Sequence, residues 1–239
     1  MKNIVLTKKI GIIFILFCLI SCIILFRPEN IIKIRIKNKF NNDMISLSKV
    51  IVNSPSKITF QLQTYSCLPM DQDDGKVLSE FIDCINANIS EFDEVIILLN
   101  QSPTYLSIKM KKYNDVLYIS EFNCEYTEIY ADVLSCFDLS KTAKMIYKGE
   151  TIVDYKSEFS QMKELKKLSL YCRQDFLTDD LDDLIQSLSR LERLDFYVYN
   201  YDFYDKEKIE NIKEKIFDLD MKYPDIIISY NYAYWYTVL

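Results

Sequence analysis

The sequence predicts an α/β protein built from alternating helices and short strands, with a mainly parallel sheet, preceded by an N-terminal transmembrane helix. Three observations predict it. An apolar run from Ile10 to Phe26, broken only by Gly11 and Ser21, stands near the start of the chain. Past residue 40 a spacing motif returns, an apolar residue, two others, then alternating apolar positions, as in Leu165-Lys-Lys-Leu168-Ser-Leu170. The segments between its copies carry apolar residues at the 3.6-residue period of a helix. With 49% hydrophobic and 27% charged residues over 239 positions, the chain has the profile of a packed globular protein.

The apolar run follows Lys2, Lys8 and Lys9 and ends at Arg27. Its 17 residues suit a spanning helix of ~17–25 residues better than a cleaved secretory segment, and it shows no small-residue cleavage pattern. Residues 1–9 then form a basic leader, 10–26 a membrane anchor, 27–54 a basic juxtamembrane segment and 55–239 an acidic domain. Basic residues flank the run almost equally, so orientation rests on the short leader, which resembles a signal-anchor and places the body outside the cytoplasm. Leu19-Ile20-Ser21-Cys22 resembles the lipobox of bacterial lipoproteins. That resemblance implies lipidation at Cys22, the alternative to a spanning anchor.

The alternation Ile32-Lys33-Ile34-Arg35-Ile36-Lys37 reads as a strand with one basic face, or as a polybasic segment held to anionic headgroups. Residues 1–39 carry eight Lys or Arg and one Glu, a net of +7; the chain is −6, so residues 40–239 carry −13. An acidic body repels phosphate backbones, and no basic stripe stands out along the sequence, so no nucleic-acid partner is expected. Residues 1–39 are also expected to be dispensable for folding.

Copies of the motif begin at Phe92, Tyr113, Thr142, Leu165, Leu191 and Tyr223, 21 to 32 residues apart. Self-similarity at ~20–30 residues marks a repeat architecture. Lys76–Asn88, Tyr126–Phe137 and Asp205–Asp218 read as amphipathic helices, and Thr178 as the cap of another that opens on Asp179 and Asp180. Strands joined by helices should be parallel. The L-x-x-L-x-[LF] units at Leu165 and Leu191 resemble leucine-rich repeats, with the recurrence covering roughly residues 92–230. The ninth position, usually Asn or Cys in that family, holds Arg173 and Tyr199, so the resemblance implies an irregular version of the fold. Further strands are expected at Lys57–Tyr65 and Tyr105–Met110, outside the repeat; either they cover the second face of the sheet, or that face is an exposed apolar patch that binds a partner.

Alternation along each strand assigns faces. Val95, Ile97, Val116, Tyr118, Leu168, Leu170, Leu194, Phe196, Ile226 and Ile228 should meet the helices. Ile96, Leu98, Leu117, Ile119, Ile146, Ser169, Tyr171, Asp195, Tyr197, Ile227 and Ser229 should face the other way.

Chemistry is narrowed by what the sequence lacks. Without histidine there is no Ser-His-Asp or Cys-His pair and no imidazole-ligated metal. Gly11, Gly75 and Gly149 are the only glycines and do not cluster, which excludes phosphate-cradling loops. Asp71-Gln-Asp73-Asp74-Gly75 misses the spacing of a calcium loop and reads as a solvated turn before the helix at Lys76. Cys67, Cys84, Cys124, Cys136 and Cys172 lack framework spacing and read as structural thiols. No catalytic, metal or cofactor set is expected. The expected function is a membrane-anchored protein-interaction module. Its partner-binding candidates are Tyr171, Asp195 and Tyr197 on the strand face, and Tyr232, Tyr234 and Trp235 at the tyrosine-rich end. The alternatives are a hydrolase working with carboxylates, or an immunity-type lipoprotein whose acidic body meets a basic partner.

Overall fold

The computed structural model describes residues 26–40, 42, 44–64, 70–101, 104–124, 131–148, 156–172, 179–198 and 206–232. The expected anchor up to Leu25, the lipidation candidate Cys22, and Tyr234 and Trp235 lie outside these residues. Among the described residues no helix is long and apolar enough to cross a membrane.

The elements run α1 (Pro28–Lys37), β1 (Ile45–Ser54), β2 (Lys57–Thr64), α2 (Gln72–Asn88), β3 (Glu94–Gln101), β4 (Thr104–Tyr113), β5 (Val116–Asn123) and α3 (Ala131–Leu134). They continue β6 (Lys144–Lys148), α4 (Lys156–Gln161), β7 (Lys167–Cys172), α5 (Asp179–Ser187), β8 (Arg193–Val198), α6 (Lys206–Lys222) and β9 (Ile227–Tyr232). The nine strands among the described residues form one sheet in chain order. β5 to β9 are parallel throughout, as is the β2–β3 pair; β1–β2 and β3–β4–β5 are antiparallel.

Every parallel connection carries a helix, and the six described helices pack on the same core. The register sets Phe60, Ile97, Ile108, Phe122, Met145, Leu168, Leu194 and Ile228 side by side across eight strands. That row joins a single core cluster with residues of all six helices, and Ile96, Leu98, Ile146 and Tyr171 are not part of it. Edge-to-face rings fix the contact: Phe81 of α2 on Phe60 at 5.9 Å, and Phe159 of α4 on Tyr147 at 5.3 Å. The strand entries are tied together by backbone. Lys166 and Lys167 donate to the Ala143 carbonyl, Glu192 and Arg193 to that of Lys166, and Ile227 to that of Glu192.

α2 starts four residues before Lys76, and the acidic run is its first turn rather than a turn before it. The Asp71 carboxylate accepts from the amides of Asp73 and Asp74, and Asp74 accepts from that of Asp71, a capping box. Gly75 is required by packing. A Cβ there would stand 3.1 Å from Cys136 Sγ and 3.3 Å from Val133 Cα, so glycine lets α2 and α3 approach.

Other expectations need correction. Residues 32–37 are helical, not a strand: Ile32 and Ile36, one turn apart, are buried, while Ile34 is 53% exposed. The alternation coincides with the i, i+4 pairing of a helix started by Pro28 at its first position. α1 therefore belongs to the folded body, and the domain boundary expected at residue 55 falls in the turn between β1 and β2. The strands expected to cover the second face lie within the sheet as β2 and β4. The copy at Tyr113 is a hairpin, with Asn114 and Asp115 at φ 49° and 65°, as a two-residue turn of paired strands demands. This shifts β5 by one residue, which exchanges its faces. Leu117 and Ile119 are buried in the core, and Val116 is exposed. In the last copy the register aligns Leu194 with Ile228; Ile226 lies in the bend before β9 rather than on a strand, and still packs against the core as expected.

Leu194→Ala and Ile36→Ala should each destabilise the protein by ~2–5 kcal/mol, since both side chains are fully buried. Tyr197→Ala, at a half-buried outward position, should cost less. Chemical denaturation of the three variants beside wild type measures the difference. A chain beginning at residue 41 should unfold at lower denaturant than one retaining α1.

Candidate functional site

The face turned away from the helices collects the sequence's strand-face candidates. Tyr171 pairs with Tyr197, and Ser169 with Asp195, which in turn pairs with Ser229. The rings of Tyr171 and Tyr197 stack at 4.5 Å between centroids, 6° from parallel. This contact joins two large, rigid side chains with polar tips. Tyr232 ends β9 level with Val198.

Asp195 differs from what the sequence suggests. It faces away from the helices, yet its side chain is only 1% exposed. One carboxylate oxygen accepts from Arg193 Nε at 2.8 Å and from Ser229 Oγ; the other meets Lys167 Nζ at 3.0 Å and Ser169 Oγ at 3.3 Å. Burial raises its pKa, but the hydrogen bonds from Ser229, Arg193 and Lys167 outweigh it and hold the carboxyl below the usual range. A carboxylate engaged on both oxygens organises its neighbours. It is not placed as a free acid or base.

Toward β2 the same face carries a chain of ion pairs. Lys57 meets Glu94 at 2.7 Å, Glu94 meets Lys109 at 3.3 Å, Lys109 meets Glu121 at 3.3 Å, and Glu121 meets Lys144 at 3.8 Å. The Lys57 hydrogen bond is the main influence lowering the Glu94 pKa. Lys49, opposite Gln61, and Lys111, opposite Glu94, are exposed on this face, and Lys148 lies opposite Tyr171. With Lys167 and Arg193, eight basic side chains (Lys49, Lys57, Lys109, Lys111, Lys144, Lys148, Lys167 and Arg193) stand among three acidic ones (Glu94, Glu121 and Asp195). The structure thus assembles the basic stripe that the linear sequence does not show. Between the strands lies a depression of about 100 Å³, lined by Ile96, Ser107, Lys109, Glu121, Asn123, Lys144 and Ile146 among others.

A second hollow of about 270 Å³ opens on the helix side, between α2 and the first half of β5, with Asp83, Asn86, Tyr118 and Asp138 in its lining. Asn86 closes part of it by donating to the Leu117 carbonyl and accepting from the Leu117 amide. Among the described residues no group of His, Cys, Asp or Glu could hold a metal ion. Cys84, Cys124 and Cys136 are free thiols, and burial pushes Cys124 up to about 12.

Compared with known protein families, characterised proteins and solved structures, the chain matches none.

Two outcomes follow from these contacts. Because the folded Asp195 pKa lies below the unfolded value of ~3.9, its contribution to stability is present above that value and is lost as pH falls through the folded pKa. Asp195→Asn should be less stable than wild type at pH 7, and the gap should narrow at about pH 3, as followed by denaturant midpoints. In native protein at pH 8, Cys124 should resist thiol reagents and become modified only on unfolding, as read by peptide mass spectrometry.

Proposed function

We propose that the protein is a non-enzymatic interaction module, anchored in a membrane through residues 10–26 with its body outside the cytoplasm, and that it binds a protein partner through the outward face of its sheet. The observation that carries this reading is the one-sided layering. Among the described residues, helices and core occupy one face, while the other carries the half-buried Tyr197 stacked on the buried Tyr171, and a carboxylate held by four donors. Rigid aromatic area beside fixed polar groups is the composition of recognition surfaces. The apolar run with its basic leader supports the anchor and its orientation, and the short strand–helix units support kinship with leucine-rich repeats. The tyrosine-rich end at Tyr232, Tyr234 and Trp235 extends this surface in the proposal.

Site-specific photo-crosslinking in the cell of origin tests it. A photoreactive residue at position 197 should trap a partner, and the same group at Glu214, exposed on α6, should not. Trapping from position 214 alone would overturn the reading.

A further inference from the structure

The outward face has the opposite sign to the body that carries it. Its eight basic and three acidic strand side chains give a net of +5, inside a body of −13 over residues 40–239. The rest of that body therefore carries −18. Each acidic group on the face is already engaged by lysine or arginine, so the uncompensated charge is cationic. The cationic side chains remain reachable, with Lys57 38%, Lys144 40% and Arg193 45% exposed. Lys49 and Lys111 make no ion pair among the described residues and are exposed.

We propose that this face binds an acidic, extended polypeptide segment laid across the strands, with one side chain seated in the depression between Ile96 and Ile146. The inference rests on the reading of the face as an interaction surface, and adds the partner's chemistry. From β2 to β8 the basic strip crosses six strand spacings of ~4.8 Å, about 29 Å, the length of about nine extended residues. The depression of about 100 Å³ has room for one side chain, with two isoleucines, two lysines and Glu121 in its lining. Length also decides against larger polyanions. A nucleic acid or an anionic bilayer continues beyond the strip, over a body whose remaining residues are net acidic. A short acidic segment ends where the strip ends.

The test uses the full chain in neutral detergent and fluorescence anisotropy with labelled deca-glutamate. Deca-lysine, a deoxythymidine decamer and phosphatidylglycerol vesicles serve as competing probes. Deca-glutamate should bind, and its affinity should fall by about tenfold between about 0.05 M and 0.5 M salt. Lys49→Glu with Lys111→Glu should lower it by about tenfold with circular dichroism unchanged, since neither lysine makes an ion pair among the described residues. Ile96→Trp, which fills the depression, should weaken a glutamate peptide with a central leucine more than deca-glutamate. The proposal is overturned if the double variant binds as wild type does, if the decamer or the vesicles bind more tightly, or if the chain self-associates at low salt in place of binding. Tyr197-dependent binding of deca-lysine would sink the acidic-segment inference and leave the interaction surface standing. No binding by any probe, together with no crosslink from position 197, would remove both.

Discussion

Each strand from β2 to β9 lies beside the one that precedes it in the chain, and every parallel step is bridged by a helix. Right-handed crossovers between such neighbours return every helix to the same side. The whole structure depends on this constraint. Among the described residues it makes one core from six helices and one sheet face, and leaves the second face without a helical cover. Apolar side chains can then be concentrated on one side of each strand, while the other side must remain compatible with water.

The outward face meets that demand by charge pairing, and the pairing has two regimes. Across the mixed region, Lys57, Glu94, Lys109, Glu121 and Lys144 alternate in sign from strand to strand, so each neighbour is an attraction. Across the parallel region, Lys144, Lys167 and Arg193 share one register row, three cations abreast. Like charges at adjacent-strand spacing repel. Asp195, one pair of residues further along β8, takes both Lys167 and Arg193 and is braced by Ser169 and Ser229. Burying one carboxylate under two cations offsets a repulsion that the parallel register would otherwise impose. That structural duty explains why an acidic side chain is found at an almost inaccessible outward position.

The sequence shows the helix–strand alternation and the inward row because leucine spacing reports directly on burial. Leu168, Leu170, Leu194 and Phe196 all lie in the core as their alternation requires. The apolar pattern cannot separate a repeat copy from a hairpin when Asn-Asp stands between two strands, so β5 reads with its faces exchanged. Nor does it distinguish strand from helix for six alternating residues, and α1 turns on the i, i+4 pair Ile32 and Ile36 instead. The basic face is the least legible feature. Its seven lysines and Arg193 come from six strands, one or two from each, between residues 49 and 193, and become neighbours only through the register. A reading of net charge averages them into an acidic body. Noting the sign at each outward strand position would have exposed them.

The two ends of the sheet are finished differently. At the first end, α1 lays Ile32 and Ile36 against the core and contacts β1, so the layer closes on a helix. Lys33 of α1 also donates to the Ser48 carbonyl at the bulge of β1. At the other end, β9 pairs only with β8 among the described residues. There Phe217 and Met221, one turn apart on α6, are 63% and 67% exposed, and on the outward face of β9 Ile227 is 62% exposed. Stacked architectures require polar terminal units, because the last layer otherwise presents the apolar surface that a further layer would cover. α6 meets this only in part. It is held to α5 by Lys222 on Asp182 and by Tyr223 Oη donating to Asp182 at 2.7 Å, contacts that keep the Asp182 carboxyl below its usual pKa. The polar clamp fixes the inner side of the last helix, and its apolar outer side stands at the growing end of the stack, where the chain continues toward its tyrosine-rich terminus.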